Sequence, residues 1–100
     1  MPRRPRIELA AGVGDGLERI LTHLLEHDVA DPAARIEEIL AVIDILRRSP
    51  EIGRPISSGL RELVLGRGSR GYVAFYWFQK ESNIVFVLAV RGRRETGYGP

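Results

Sequence analysis

Four polar side chains in the C-terminal half could together cleave a phosphodiester. Cutting RNA through its 2′-hydroxyl needs a proton acceptor, a proton donor and cations around the pentavalent phosphate. Glu95 and Tyr98 could supply the acceptor and the donor, while Arg61 and Arg91 could supply the positive charge. An equally good interpretation of Arg61 is an ion pair across strands with Glu95 or another acid. The pattern therefore leaves catalysis and structure open.

Two other groups of residues have the right types to bind an ion. The turn GRGSRG contains Arg67, Ser69 and Arg70, whose guanidinium and backbone N–H groups could bind an anion. Its spacing matches no phosphate-binding fingerprint, and its glycines favour a plain hairpin turn. His23 and His27 are four residues apart, as in a helical metal site, but the sequence offers no third ligand. We therefore expect no metal and no cofactor.

Charge is divided unevenly along the chain. Residues 1–53 contain seven basic and ten acidic side chains, a net charge of −3, whereas residues 54–100 contain eight basic and three acidic, a net charge of +5. Arginine accounts for nearly all of the positive charge, and its planar group suits bidentate contacts with phosphate or carboxylate. The basic half is therefore the expected binding half.

Composition restricts the class of protein. The 100 residues fit one domain, which we expect to span residues 1–100 with a core at about 6–92 and a tail at 93–100. The chain has no cysteine, which excludes disulfides, thiol nucleophiles and zinc sites with cysteine ligands. The sequence shows neither a signal peptide nor an apolar run long enough to cross a bilayer. We expect a soluble cytoplasmic protein without a membrane partner.

The first half predicts a strand followed by two helices. Alternation over residues 6–10 predicts a strand that ends at GVGDG. Asp15 and Glu18 form a capping-box pattern, which predicts that the first helix begins there. Asp31 followed by Pro32 predicts the start of the second helix, which should end at Ser49-Pro50.

The second half predicts a loop and three strands. The segment EIGRPISSGL is typical of a loop, and apolar runs at 60–65, 72–78 and 84–90 are typical of strands. The expected fold is α+β, in the order β-α-α-β-β-β, with an antiparallel sheet and a helical hairpin packed on one face.

The last two strands, YVAFYWF and IVFVLAV, are apolar at every position. A sheet with one solvated face should alternate apolar and polar residues, and two helices cover only one face. We therefore expect a partner on the other face, unless sheet twist and diagonal helices cover more of it. The predicted partner contacts are Ile45, Tyr72, Phe75, Trp77, Val85 and Val87.

These segments, taken in order, resemble the RelE/ParE superfamily of toxins from type II toxin–antitoxin modules. The resemblance covers residues 6–98 and depends on IGRP (52–55), LREL (60–63), GYV (71–73) with Tyr76, and VLAVR (87–91) with Arg94 and Tyr98. The GRP and REL segments are more similar to the ParE branch. That branch implies growth inhibition by poisoning DNA gyrase, often in plasmid stabilisation, and no nuclease step.

The resemblance also implies partners and contact residues. A cognate antitoxin, which folds on binding, would cover the apolar face and link the toxin indirectly to operator DNA. The target-binding candidates are Arg67, Arg70, Arg91, Arg93, Arg94 and Tyr98. The RelE branch instead cleaves messenger RNA on the ribosome, using lysines, arginines and a late tyrosine.

Two departures from the RelE pattern argue against ribonuclease activity. The lysines are missing except for Lys80 in a turn, and Gly92 stands where many relatives have a histidine. A further alternative is a protein with the toxin fold that only binds the antitoxin.

Overall fold

A computed structural model describes residues 3–65 and 71–92. Their elements, in chain order, are β1 (Arg6–Leu9), α1 (Ala11–Glu26), α2 (Pro32–Asp44), a 3₁₀ turn (Ile45–Arg47), β2 (Arg54–Ser57), β3 (Leu60–Leu65), β4 (Tyr72–Gln79) and β5 (Ile84–Gly92). The α+β class with two helices packed on a sheet is confirmed. Within these residues, neither helix is long and apolar enough to span a membrane.

The strands lie in the order β1-β5-β4-β3-β2. All neighbouring pairs are antiparallel except β1 and β5, which run parallel, so the expectation of a wholly antiparallel sheet was wrong at this edge. A parallel pair needs a long crossover, and the helical hairpin between β1 and the later strands provides it. The register of β4 and β5 shifts between Phe75 and Tyr76, where a bulge interrupts the ladder.

Strand β2 lies in the segment that the sequence predicts to be a loop. Arg54 pairs with Glu62 and Pro55 pairs with Arg61, so β2 adds an edge to the sheet. The prediction missed it because Gly, Pro and Ser dominate this segment, and proline is tolerated in an edge strand. The β order is therefore β-α-α-β-β-β-β across the described chain.

Helix α1 begins at Ala11, four residues before the predicted capping box. Its N-cap is Ala10, which makes no side-chain cap hydrogen bond. The GVGDG segment is helical because its glycines let the helix lie directly against β5: a Cβ on Gly12 would lie 2.7 Å from the Leu88 carbonyl oxygen, and one on Gly16 would lie 2.1 Å from that of Val90. These glycines are packing positions rather than breakers.

Helix α2 begins as predicted. The Asp31 side chain accepts a hydrogen bond from the Ala34 N–H at 3.2 Å, and Pro32 occupies the first helical position. Its C-terminal end passes into the 3₁₀ turn, where Arg47 donates to the Asp44 carboxylate at 2.6 Å.

The core lies between the helical pair and one face of the sheet. The helices and the 3₁₀ turn contribute Val13, Ile20, Leu24, Ile39, Ile43 and Leu46, and the strands contribute Leu65, Ala74, Tyr76, Val85, Val87 and Val90. All of these side chains are buried. The opposite face of the sheet has no helix of the described residues against it, and we refer to it as the open face.

Candidate functional site: the open face of the sheet

The open face is formed by the strand residues that alternate with the core residues: Leu60, Val64, Val73, Phe75, Trp77 and Phe86. Trp77 lies on β4, the middle strand of the sheet, with Leu60 of β3 on one side and Phe86 of β5 on the other. Trp77 and Val64 are each 45% exposed, and Phe75 and Phe86 are half-buried. Val73 lies on the same side by register but is fully buried. The uncovered apolar surface therefore consists of Trp77, Val64, Phe75 and Phe86.

Charged side chains flank this apolar surface. Arg6 pairs with Ile84 at the start of β5, and Arg91 pairs with Val73 near its end, so the two arginines lie at opposite ends of the open face. Both are exposed. Arg6 already pairs with Glu8 of its own strand at 3.3 Å. The apolar surface together with the exposed Arg91 suits a partner that has both apolar and acidic side chains.

Glu62 is a buried carboxylate on the same face, opposite Phe75. Its side chain is only 3% exposed, and Arg54 on the neighbouring strand donates to it, with Nε 2.8 Å from Oε1. The ion pair offsets the cost of burying the charge. It also fixes β2 to β3 at the margin of the open face.

The predicted partner contacts divide between the two sides of the sheet. Phe75 and Trp77 lie on the open face. Val85 and Val87 are fully buried in the core beneath the helices, so their prediction as partner contacts was wrong. Tyr72 packs against that core and Ile45 lies half-buried in the 3₁₀ turn, so neither belongs to the open face. Because β4 and β5 are apolar throughout, hydrophobicity did not distinguish their two faces.

The structure does not bring the two candidate catalytic arginines together. Arg61 pairs with Tyr76 on the core side, whereas Arg91 pairs with Val73 on the open face. Glu95 and Tyr98, the other two members, lie outside the described residues. Arg61 and Arg91 therefore do not converge on a common point.

Arg61 stabilises the segment before β2. Its Nη1 donates to the carbonyl oxygens of Gly53 at 2.7 Å and of Glu51 at 2.9 Å, and its Nη2 lies 3.5 Å from the Glu51 carboxylate. Arg61 therefore pairs with an acid, but Glu51 lies in a turn before β2, so the pair does not cross between strands as expected. Lys80 shares this carboxylate at 3.4 Å. Arg61 is therefore a structural residue in this fold.

Tyr76 also stabilises the segment before β2, from the core side of the sheet. The sequence patterns did not predict this role. Its hydroxyl oxygen accepts a hydrogen bond from the Gly53 N–H at 2.8 Å, inside the core. A Cβ on Gly53 would lie 2.6 Å from this oxygen, so the contact needs glycine. Burial raises the pKa of Tyr76 above its usual value, and the Gly53 N–H and Arg61 offset only part of that rise. A tyrosine in a wholly apolar strand could have signalled such a buried partner.

We expect alkaline pH to destabilise the protein through Tyr76. The pKa of this phenol is higher in the folded state than in the unfolded chain, where it is about 10. The stability linked to its proton is therefore complete below pH about 10 and is lost as the pH rises through the folded pKa. Urea unfolding between pH 8 and 11 measures this loss.

The matched control is Tyr76→Phe. It should cost about 1–2 kcal/mol at neutral pH because the Gly53 N–H loses its acceptor. Its stability should then fall less steeply above pH 10 than that of the original protein. Equal alkaline slopes for the two proteins would contradict this role of Tyr76.

The remaining ion-binding candidates do not form a site among residues 3–65 and 71–92. His23 and His27 stack with ring centroids 4.1 Å apart, and His27 Nδ1 lies 2.9 Å from the His23 carbonyl oxygen. No group of three potential metal ligands occurs in this part of the chain. The anion-turn residues and the target-binding candidates Arg67, Arg70, Arg93, Arg94 and Tyr98 lie outside the described residues.

Comparisons with known proteins agree with this architecture. A family model for the ParE toxin of the type II toxin–antitoxin system, parDE, matches residues 7–97. None of the curated proteins matches the sequence as a relative.

Two solved structures share the fold. A chain of the chromosomal ParDE system from P. aeruginosa has a TM-score of 0.71 and 17% identity, covering 89% of this chain and 96% of that one. A chain of the RelBE2 toxin–antitoxin complex from Mycobacterium tuberculosis has a TM-score of 0.60 and 19% identity, covering 90% and 99%. At these identities the likeness concerns the fold alone.

Proposed function

Because this chain belongs to the ParE toxin family of type II toxin–antitoxin systems, we propose that it inhibits growth by binding and poisoning DNA gyrase in the cytoplasm and that a cognate antitoxin neutralises it. The family match over residues 7–97 carries the proposal. It agrees with a small domain whose sheet has an apolar face that no helix among residues 3–65 and 71–92 covers.

The placement of the arginines supports a binding function over a nuclease. Arg61 donates to two backbone carbonyls and lies across the sheet from Arg91. A phosphate in a cleavage transition state needs cations that point at one place. The proposed gyrase contact is Arg91, which is exposed at the end of β5, and the further candidates are Arg67, Arg70, Arg93, Arg94 and Tyr98.

The open face is the proposed antitoxin site. An antitoxin segment that folds on contact would bury Trp77, Val64, Phe75 and Phe86, and this burial would offset its cost of ordering. Acidic residues in that segment would complement Arg91 and the net charge of +5 on residues 54–100. Contact with operator DNA would then occur only through the antitoxin.

We expect the purified toxin to inhibit supercoiling by gyrase and to trap cleaved DNA. The same preparation should leave messenger RNA intact on programmed ribosomes. Arg91→Ala should raise the concentration for half-inhibition by at least about tenfold, since a hydrogen bond from a charged group contributes about 1.5–3 kcal/mol. The matched control is Arg48→Ala, which removes an exposed arginine at the end of the helical layer.

The ribosome assay distinguishes the proposed gyrase inhibition from ribonuclease activity. RNA cleavage with unaffected gyrase would overturn the proposal in favour of a RelE-like endoribonuclease. Normal growth after induction without antitoxin, with neither activity present, would indicate a fold retained only for antitoxin binding. If Arg48→Ala and Arg91→Ala weakened gyrase inhibition equally, Arg91 would not be a specific gyrase contact.

A further inference from the structure

Strand β1 leaves a regular row of backbone groups free at one edge of the sheet. The Arg6 N–H donates to the Asn83 carbonyl at 3.1 Å, and the Ala10 N–H donates to the Val87 carbonyl at 2.9 Å. In a parallel ladder the alternate residues face away from the partner strand. The N–H and C=O groups of Ile7 and Leu9 therefore point outward, and within the described residues no strand lies beyond them.

The opposite edge of the sheet is protected. Strand β2 contains Pro55, which has no N–H, and its register with β3 shifts between Pro55 and Ser57. Prolines and irregular pairing are common devices that prevent edge-to-edge association. Strand β1 has neither device between Arg6 and Leu9, and its nearest proline, Pro5, precedes the strand. Of these two edges, β1 is thus the one that can accept another strand.

We propose that β1 pairs antiparallel with β1 of a second copy of this chain, about a two-fold axis at Ile7. In this register Ile7 faces Ile7 of the other copy, and Arg6 faces Glu8 in both directions. The Ile7 residues exchange two backbone hydrogen bonds. The Leu9 N–H donates to the Pro5 carbonyl of the other copy, whereas the Leu9 carbonyl gains no donor in return, because Pro5 has no N–H.

Charge selects this register among its neighbours. Opposing residues must have their side chains on the same face of the sheet, so the smallest change of register is two residues. Such a change moves the two-fold axis from Ile7 to Arg6 or to Glu8. Either shift places two like charges directly opposite each other, Arg6 against Arg6 or Glu8 against Glu8. The register at Ile7 instead creates two attractive pairs, at positions without backbone hydrogen bonds, where opposing side chains are closest.

The same axis determines where the functional surfaces point. Because it stands perpendicular to the sheet, it joins the two sheets edge to edge and leaves both open faces on one side. Two copies of Arg91 then lie on that side as well. Such an arrangement suits a partner that is itself two-fold symmetric.

The interface is small, so we expect weak association. A strand of four residues buries much less than the roughly 1,200 Å² of a standard interface. Leu9 is 51% exposed at this edge and adds apolar contact. A symmetric partner that binds both open faces would strengthen the pairing by raising the effective concentration of the second copy.

Backbone amide exchange of the full chain, measured at increasing concentration, tests the pairing. In a monomer the Arg6, Glu8 and Ala10 amides should be protected, because they donate to β5. The Ile7 and Leu9 amides should exchange freely, because they point away from β5. Protection of Ile7 and Leu9 that rises with concentration, together with a dimer in sedimentation equilibrium, is the expected result. Free exchange and a monomer at all concentrations would overturn the proposal, as would protection that needs the antitoxin.

A charge exchange tests the register. Arg6→Glu and Glu8→Arg should each raise the dimer dissociation constant by at least about tenfold, because each makes both cross-strand pairs repulsive. The double variant Arg6→Glu with Glu8→Arg should restore association. Within one chain, Arg6 Nη2 lies 3.3 Å from Glu8 Oε1, and the double variant restores this ion pair as well. The pair within one chain does not depend on protein concentration, so it cannot account for restored association. A double variant that dimerises no better than the single variants would contradict this register.

Discussion

Replacing Gly16 by alanine should lower the free energy of unfolding by about 3 kcal/mol, a large share of the stability of a small domain. The added methyl would lie 2.1 Å from the Val90 carbonyl oxygen, which belongs to the backbone of β5 and cannot rotate away. Helix α1 must then move off the strand and open the core at Val13 and Ile20. Urea unfolding followed by circular dichroism measures the loss.

Gly14 provides the matched control in the same helix. A Cβ at Gly14 meets nothing within 4 Å, and the residue is exposed. Gly14→Ala should therefore stabilise the protein by about 0.5–1 kcal/mol through helix propensity. If both variants changed stability in the same direction by similar amounts, the close approach of Gly16 to β5 would not be the cause.

The glycines also show where sequence reasoning about the fold succeeded and failed. The strand at Leu60–Leu65 and the start of α2 at Asp31 were predicted from local patterns, because side-chain alternation and capping act over a few residues. The start of α1 was wrong, since Gly12 and Gly16 are there for contact with β5, more than seventy residues away in the chain. Strand β2 was missed for a similar reason: pairing with β3 makes it a strand, against its own composition.

The candidate site was predictable only in part. Its existence followed from apolar residues on both sides of β4 and β5, a property visible in sequence. Assigning residues to the open face required the cross-strand register and the position of the helices, so Val85 and Val87 were misplaced while Phe75 and Trp77 were not. Arg61 pairs with Tyr76, which faces the core, whereas Arg91 pairs with Val73, which faces the other side of the sheet. The separation of the two arginines therefore also depends on the cross-strand register.

Trp77→Ala should have the largest effect on antitoxin binding. Trp77 lies on the middle strand of the open face, is 45% exposed, and has apolar neighbours on both adjoining strands. A central tryptophan that a partner buries typically contributes about 2 kcal/mol or more, so we expect the dissociation constant to rise at least about 30-fold. Titration calorimetry with the cognate antitoxin measures the change.

Leu25→Ala is the appropriate control, because it also truncates an apolar side chain that is more than half exposed, at 59%, but on helix α1. Since the helices cover the other face of the sheet, this variant should change antitoxin affinity by less than about threefold. Circular dichroism should show that both variants remain folded, because neither side chain belongs to the buried core. If Leu25→Ala weakened binding as much as Trp77→Ala did, the antitoxin would have to contact the helical layer, and the open face would need another partner.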